Sequence, residues 1–565
     1  MRTVLIATYT HPVALGMRYV SSSLKSAGHE VEMIFMASKR DTAKPDFAPP
    51  VIESLIEHCR DADLVGMGLL TNSFCRACFL TEALRRAGMK VPIIWGGTHA
   101  TVAPDECLEY ADVVCIGEGE QVMLQLAERM DRGRDPTDLG GLAFRAGGPF
   151  GNRGEVRNPV GPLIENLDDL PFPDYELKSH WVADDGRLVR ARPGNLRGAL
   201  DRLRVETTRG CPYRCTFCNN TTWANIYRGR GSWVRRRSIE NVLCELEEMC
   251  RRFPGISAVN IVDDLFFVRP AEEIAAFADG YTRRVGRPLE VDAHPELVTE
   301  DKIAVLSRMP IALVSMGIQS GSCDTLYNIY HRRTPVDRIA MAMDLLHRYR
   351  LPAEYHYIVN NPYESDANII ETMRFVADHH RKAAALRIFP LALFPGSPLY
   401  ERARSDGIIG ARHEEAYHRT YTGSVHVFKL DYLAIMLRLV LHLRNLGAPP
   451  WLTHRFIGLV TNRFVRRCLD RRICMSMLMG AYYLCRKSYK ILLYQPIVRP
   501  VLRLRRWWVL RTPAMKIDLA LGEPVSVPPA PVRNPKPPSG GFKPKSQGLE
   551  NGIEPQQQTA SRRVR

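Results

Sequence analysis

The sequence lacks any apolar run long enough to cross a lipid bilayer. The nearest candidate, Met475 to Cys485, is flanked by Arg472 and Arg486 and is shorter than the roughly 20 residues that a membrane helix needs. We also expect no secretory signal, because the sequence opens directly on an apolar strand pattern at Thr3 to Ala7. These absences predict a cytoplasmic protein. In that reducing compartment the 14 cysteines are expected to be thiols or metal ligands rather than disulfides.

Acidic residues are scarce in the last quarter of the chain. From Asp431 to the end there are 24 Lys/Arg against 6 Asp/Glu, a net charge of +18, which leaves about −2 on residues 1–430 out of a total of +16. Such charge permits nucleic-acid binding, but no recognised nucleic-acid module accompanies it, and we expect no nucleic-acid partner. The length of 565 residues, with 45% hydrophobic and 24% charged residues, is typical of a globular chain of about three domains.

Three of the cysteines lie within eight residues. Cys211, Cys215 and Cys218 have the spacing C-x3-C-x2-C, and thiolates this close in sequence can converge on one iron-sulfur cluster. With only three thiolates, a four-iron cluster keeps one iron open to an exogenous ligand, which is typical of a catalytic site. A structural zinc site is the alternative, but it usually has a fourth Cys or His at matched spacing, and no His lies near the motif.

The cysteine motif resembles that of the radical S-adenosylmethionine (SAM) superfamily, whose three cysteines occupy a loop after the first strand of a partial (β/α) barrel. Val205 to Gly210 has the strand-then-turn pattern that this context requires. The resemblance implies a 4Fe-4S cluster whose open iron binds SAM and whose electron cleaves it to methionine and a 5′-deoxyadenosyl radical. It also implies an external electron donor of the flavodoxin or ferredoxin type, and it places Phe217 beside the SAM adenine.

Residues 1–135 alternate short apolar strands with helical stretches. This alternation predicts an α/β domain of the doubly wound, Rossmann-like class with a parallel sheet. Ligands of such sheets bind at the carboxyl ends of the strands, and paired glycines there let the backbone approach a large flat ligand closely. The loops expected at that edge are Thr8 to Gly16, Gly68 to Asn72, Gly96 to Thr101 and Gly117 to Glu120.

These loops resemble those of the cobalamin-binding domain that precedes the radical SAM domain in one large subfamily, with a plain Rossmann domain as the alternative. The resemblance implies cobalamin contacts from Gly68, Leu70, Thr71, Gly96, Gly97, His99 and Glu118; for His99, helix capping is the alternative. Many other cobalamin proteins supply a cobalt-ligating His from a D-x-H-x-x-G motif. The stretch from Tyr9 to Gly16 has no Asp, and His11 is five residues before Gly16. We therefore expect cobalamin to be bound without that His ligand.

Two further segments follow the first domain. Gly, Pro and Asp are frequent over residues 136–200, which predicts a linker. The strand-helix rhythm resumes over residues 201–425 with six strand patterns, and the resemblance implies that they form a partial (β/α)6 barrel of the radical SAM type.

Polar residues at the carboxyl ends of the barrel strands are expected to face the active site. The resemblance implies that Asp263 and Asp264, after the second strand, hold the SAM ammonium group; a helix N-cap is the alternative. It likewise implies SAM contacts from Gln319 and Ser320 after the fourth strand. Relatives usually have Glu at the position of Gln319, so a charged contact is replaced here by a neutral one.

The basic quarter of the chain contains two different patterns. Over residues 426–515, apolar residues at spacings of three and four predict helices. These basic helices either cap the barrel mouth or lie on an anionic membrane surface. Over residues 516–565, Pro, Ser, Gln and Lys dominate, which predicts a disordered tail.

The two resemblances together predict an enzyme that transfers a methyl group from SAM, by way of methylcobalamin, to an unactivated carbon or phosphorus centre of a small-molecule substrate. Relatives with the same two domains also catalyse cyclisations or rearrangements without net methylation, which is the first alternative. A non-catalytic cobalamin or redox sensor is the second, and the retention of Phe217, Asp263 and Asp264 counts against it. A sulfur-inserting tRNA modifier usually has a second set of three cysteines, which is not visible in this sequence.

Overall fold

The first sheet is built on the five apolar strands that the sequence predicts. In the computed structural model, which describes residues 1–9, 12–36, 47–410 and 432–470, these strands are β1 (Arg2–Ala7), β2 (Glu30–Phe35), β3 (Leu64–Gly68), β4 (Ile93–Gly96) and β5 (Val113–Cys115). All five are parallel, and Ala7 is in register with both Phe35 and Gly68. Their carboxyl ends therefore meet at one edge, as expected for a doubly wound sheet.

Helices cover both faces of this sheet, which explains why its strands are apolar on both sides. They are α1 (Leu15–Ser26), α2 (Pro49–Cys59), α3 (Phe74–Arg86), α4 (Thr98–Val102), α5 (Pro104–Leu108) and α6 (Glu120–Asp131). Leu5 and Met33 belong to one buried apolar cluster, whereas Val4 and Ile34 belong to another. Neighbouring residues of β1 and β2 thus serve opposite faces of the sheet.

Residues 136–200 extend the same sheet at both edges. They contribute β6 (Leu142–Phe144), β7 (Val156–Arg157), β8 (His180–Asp184) and β9 (Arg187–Arg190), followed by α7 (Arg197–Leu200). The strand order of the nine-stranded sheet is β7-β6-β5-β4-β3-β1-β2-β8-β9. The prediction of a linker did not include these strands, because each is only two to five residues long and the intervening turns dominate the composition.

The second sheet has six parallel strands in sequence order. They are β10 (Arg202–Val205), β13 (Ala258–Ile261), β14 (Leu289–Ala293), β15 (Ile311–Gln319), β16 (Ala353–Val359) and β17 (Ala385–Pro390). An antiparallel pair, β11 (Thr208–Arg209) and β12 (Arg235–Arg236), lies apart from the sheet. Six parallel strands with intervening helices confirm the predicted partial barrel.

The helices of this region are α8 (Asn219–Ile226), α9 (Ile239–Arg252), α10 (Ala271–Arg284), α11 (Glu300–Leu306), α12 (Val336–Arg348), α13 (Asp366–His379) and α14 (Pro398–Ser405). Alternation along β15 sends Val314, Met316 and Ile318 into the apolar core. Ser315, which lies between two of them, therefore faces the opposite side of the strand.

Three described helices follow the barrel: α15 (Tyr432–Asn445), α16 (Pro450–Thr461) and α17 (Arg463–Leu469). The first two pack against α13, and Arg444 donates to the carbonyl of His380 at 2.9 Å. The predicted helical region is thus helical where it is described. Its remainder, the apolar stretch Met475 to Cys485 and the predicted disordered tail lie outside the described residues. In the parts of the chain that the structure describes, no helix is both long and apolar enough to span a membrane.

Candidate active site

A cavity of about 520 Å³ lies where the carboxyl edge of the first sheet meets the start of the barrel. The loops of the first sheet line one side of it, and the segment around the cysteine motif lines the other. The predicted cofactor residues that reach it are Gly68, Leu70, Gly96, Gly97, Glu118 and Asp264. Both domains therefore contribute to one chamber.

Gly97 is required by the backbone of the third loop. Its φ is +98°, and a Cβ at this position would lie 2.7 Å from the carbonyl oxygen of Leu69. A side chain would be strained by the conformation and would also collide with the neighbouring loop. Gly96 differs, because its Cβ would meet only the Cβ of Cys115 at 3.6 Å. The pair of glycines thus contains one position that has no room for a side chain and one that does.

Thr71 and His99 are buried and do not line the cavity. His99 Nδ1 lies 3.2 Å from Thr71 Oγ1, and His99 Nε2 lies 3.2 Å from a carboxylate oxygen of Glu106. The His99 ring also packs edge-on against Phe74. These contacts join the second and third loops behind the cavity wall, so the structure places both residues in support of the loops.

The three cysteines lie on the loop between β11 and α8. Cys211 follows Gly210, whose φ of +88° and close approach to Trp233 O exclude a side chain. Burial, with a smaller contribution from neighbouring thiols, raises the pKa of the Cys211 thiol to about 12 and that of Cys218 to about 11. Three bare thiolates would be costly here, so the loop requires positive charge to hold them.

The donor set of the cysteine loop suits a four-iron cluster, although no three Cys, His, Asp or Glu side chains among the described residues are grouped as they would be around a metal ion. A cluster spreads its thiolate ligands over several irons and accepts hydrogen bonds at its sulfurs. Two buried N–H groups near the loop, His294 Nε2 and Arg332 Nε, have no hydrogen-bond partner among the described residues. The thiol donor set and these free donors suit the cluster.

The two predicted aspartates have different surroundings. Asp263 is buried and accepts hydrogen bonds from Thr207 N and Thr207 Oγ1 at 2.5 Å and from Thr208 N at 3.0 Å; burial raises its pKa to about 7. Asp264 lines the cavity and accepts from Gly210 N at 2.9 Å and Asn220 Nδ2 at 2.6 Å. Only Asp264 is placed to meet a ligand in the chamber, whereas Asp263 holds the strand end before the cysteine loop.

The other predicted SAM-contacting residues lie away from the cavity lining. Gln319 ends β15 with a φ of +71°. Ser320 is buried, and its Oγ lies 2.9 Å from Thr372 Oγ1. The Phe217 ring packs edge-on against Tyr330 with a centroid distance of 4.9 Å. Phe217 is itself part of the cysteine loop, between Cys215 and Cys218, and its contact with the SAM adenine stays a prediction.

An ion-pair cluster at the domain junction was not found from the sequence. Arg209 and Arg235 face each other across the β11-β12 pair and both contact Glu118, at 3.3 Å and 2.6 Å. Arg209 also pairs with Glu120 and Glu206 at 2.7 Å each. Although burial works to raise the pKa of Glu118, the two guanidinium groups lower it overall. The sequence signal was present only as an Arg directly before the Gly-Cys step and a second Arg in a basic run.

The comparisons with known proteins agree with this arrangement. A family model described as B12 binding domain matches residues 1–127, and one described as Radical SAM superfamily matches residues 205–376. An uncharacterized methyltransferase of Pyrococcus horikoshii is 26% identical over 425 residues, covering 74% of this chain and 83% of the relative. An anaerobic magnesium-protoporphyrin IX monomethyl ester cyclase of Rubrivivax gelatinosus is 24% identical over 368 residues, which cover 64% of this chain and 61% of the relative.

Among solved structures, the radical SAM methyltransferase TsrM from Kitasatospora setae, with cobalamin and a [4Fe-4S] cluster bound, shares the fold with a TM-score of 0.56. Its identity to this chain is 17%, and the match covers 73% of this chain and 75% of TsrM. The cysteine loop on a partial barrel and the two matched domains define the class: the protein is a radical SAM enzyme. The chain therefore carries a B12-binding domain and a radical SAM domain, the two domains that bind cobalamin and that bind a 4Fe-4S cluster with SAM.

Proposed function

We propose that this enzyme transfers a methyl group from SAM, by way of cobalamin, to an unactivated carbon or phosphorus centre of a small-molecule substrate. The observation that carries the proposal is the shared cavity, into which the cobalamin-type loops and the start of the barrel both open. When bound, the cluster and SAM supply the radical and cobalamin carries the methyl group. The residues of the chain orient these groups and keep water out.

Glu118, Arg209 and Arg235 support this role by holding the two halves of the chamber at a fixed separation. The side chains of all three are at most 12% exposed, so their attraction is little screened by solvent. Such a fixed separation matters because group transfer between two cofactors depends on their mutual position. Asp264, tied to Gly210 and Asn220, is the carboxylate that we propose receives the SAM ammonium group.

The test is conversion of SAM labelled with a trideuterated methyl group, using anaerobically reconstituted enzyme and a metabolite extract from a host that lacks it. Methyl transfer predicts a product that carries the label together with 5′-deoxyadenosine. Formation of 5′-deoxyadenosine with an unlabelled, altered product would instead support the cyclase-type reaction, which one relative's name suggests. Absence of 5′-deoxyadenosine with every extract and reductant would support a sensor.

The cluster has its own test, which is iron analysis. We expect about four irons per chain in the wild type and loss of the cluster when Cys211, Cys215 and Cys218 are replaced by Ala together. Cys323→Ala is the matched control, because this thiol is exposed and lies outside the motif. A triple variant that keeps its cluster would contradict the assignment. An external flavodoxin- or ferredoxin-type donor and a reducing cytoplasmic location complete the proposal.

We further propose that the outward face of α16 lies on an anionic membrane surface. Its inward face buries Thr453, Ile457 and Val460, whereas Trp451 and Leu459, on the opposite side, are 61% and 57% exposed. Exposed Leu446 and Phe464 flank the same helix, and the basic quarter of the chain supplies positive charge. An exposed apolar stripe beside cationic residues is typical of interfacial helices.

Sedimentation of the full chain with vesicles tests this surface. Binding is expected to vesicles containing phosphatidylglycerol, less to phosphatidylcholine alone, and to be reduced by the pair Trp451→Ser and Leu459→Ser. Met341→Ser is the matched control, since Met341 is 56% exposed on α12. Unchanged vesicle binding by the double variant would reject the proposed membrane contact. A double variant that differs from the wild type only in its oligomeric state would also reject it, and would indicate that this face is a contact between copies of the chain.

A further inference from the structure

The segment after β15 is fastened to the cysteine loop by backbone hydrogen bonds. Thr216 N donates to Tyr330 O at 3.0 Å, and Thr216 Oγ1 donates to Ile329 O at 2.6 Å. The residues before this contact, Thr325–Ile329, form a π-helix, a rare element that is concentrated at functional sites. Since Thr216 follows Cys215 directly, residues 325–330 pack against the part of the loop that contains Cys215.

Arg332 follows this segment and lies near the cysteine loop. It is 5% exposed, its Nη2 donates to Gly317 O at 2.6 Å, and its guanidinium is close enough to the thiol of Cys215 for the two groups to interact electrostatically. Within the described residues, Arg332 has no carboxylate in an ion pair, and its Nε has no hydrogen-bond partner. Burying a cation without an anion costs free energy. A negatively charged group is therefore expected beside Arg332, and a metal-bound thiolate would supply that charge.

A second donor lies on the other side of the same loop. The ring of His294 stacks on Tyr213 with a centroid distance of 3.8 Å. Its Nδ1 accepts from Glu296 N at 3.3 Å, which leaves the proton on Nε2, a buried atom without a partner among the described residues. Burial lowers the pKa of His294 to about 2, with the charge of Arg332 acting in the same direction. The charge on this side of the loop is therefore carried by Arg332, while His294 is neutral.

We propose that Arg332 positions the cluster and sets its reduction potential, by donating to the Cys215 thiolate and by its fixed positive charge. The inference rests on the proposed cluster at Cys211, Cys215 and Cys218. One electron from the external donor reduces the cluster and adds one negative charge to it, with no bond made or broken in the protein. A buried cation beside a ligand thiolate stabilises that added charge, which makes the cluster easier to reduce.

The experiment is a reductive titration of the reconstituted full-length chain without SAM, using europium(II) chelates and following the reduced cluster by electron paramagnetic resonance. Arg332→Gln removes the charge and keeps a donor, Arg332→Lys keeps the charge, and Arg333→Gln is the matched control because Arg333 is exposed. We expect a shift to more negative potential for Arg332→Gln, a value near wild type for Arg332→Lys, and no shift for Arg333→Gln.

Iron content separates the outcomes. A wild type without iron would overturn the proposed cluster itself, whereas a wild-type cluster with an unshifted Arg332→Gln potential would overturn only the role of Arg332. If Arg332→Gln retains no cluster, Arg332→Lys decides the matter. Cluster retention by Arg332→Lys supports a requirement for charge, and loss in both variants rejects it in favour of a purely structural role for the guanidinium.

Discussion

Glu118 and Arg235 form a bidentate ion pair across the junction of the two domains. Arg235 Nη2 lies 2.6 Å from one carboxylate oxygen and Nη1 lies 3.0 Å from the other. The same arginine donates to the carbonyl of Ile164 at 2.8 Å, and the hydroxyl of Tyr227 accepts from the amide of Glu118 at 2.7 Å. The last loop of the B12-binding domain is therefore bonded to the barrel at several points around one residue.

Replacing Glu118 with Gln is expected to destabilise the protein by roughly 3 kcal/mol, because removing one member of a buried ion pair leaves its partner uncompensated. Chemical denaturation of the apoprotein measures this effect. Glu128→Gln is the matched control, since Glu128 and Arg132 are exposed and 3.8 Å apart, and its effect should stay within about 0.5 kcal/mol. Equal effects of the two substitutions would show that the junction does not depend on this pair.

Gly97→Val is expected to lower cobalamin affinity by about tenfold or more, because the required backbone conformation carries a strain of about 1–3 kcal/mol for other residues. The measurement is cobalamin bound per chain after loading, determined from its absorption. Gly96→Ala should load normally, since its Cβ has room at 3.6 Å from the Cβ of Cys115. Normal cobalamin loading of Gly97→Val would show that this loop does not contribute to cobalamin binding.

Cobalt is expected to have no protein imidazole ligand. The described residues that line the cavity include no histidine, and Leu70 is 40% exposed there. Electron paramagnetic resonance of the cob(II)alamin form should therefore show no nitrogen splitting from the protein. His11 lies outside the described residues, so His11→Ala is the control. Splitting in the wild type that disappears in His11→Ala would contradict the expectation.

Asp263 predicts a particular pH dependence of stability. Burial raises its pKa to about 7, above the value of about 4 for an unfolded Asp, so the folded chain retains a proton that the unfolded chain releases. The stability from this group is complete below about pH 4 and is lost as the pH rises to about 7. Asp263→Asn, which cannot titrate, should flatten this part of the profile in denaturation experiments. Parallel profiles for the two proteins would mean that Asp263 is ionised in the folded state.

The strands were predictable because their signal is local. The apolar runs of β1 and β3, for example, need no knowledge of distant residues, and a parallel sheet follows from their alternation with helices. The roles of Asp263 and Asp264 were not predictable in the same way. The two are adjacent at a strand end, and only the turn after the strand decides that Asp264 enters the cavity while Asp263 receives the amides of Thr207 and Thr208.

Long-range pairing explains most of what the sequence did not reveal. Glu118 was selected for its loop, yet its partner Arg235 is 117 residues away, and nothing local marks that arginine among its basic neighbours. Arg332 and Cys215 are likewise far apart in sequence, and no local pattern marks their interaction. Strands β6 to β9 were missed for another reason, which is that two to five residues are too few for a periodic pattern.

The C-terminal helices provide the last prediction. The inward faces of α15 and α16 bury Leu437, Val440, Leu441 and Ile457, and both helices pack on α13. A chain that ends at Leu430 should therefore expose the apolar surface of α13 and aggregate. A chain that ends before Pro524 loses only a segment too poor in apolar residues to pack and should still cleave SAM. Formation of 5′-deoxyadenosine and light scattering measure the two properties. A monodisperse, SAM-cleaving chain ending at Leu430 would show that the helices are dispensable for folding, and loss of its vesicle binding would then assign them to the membrane.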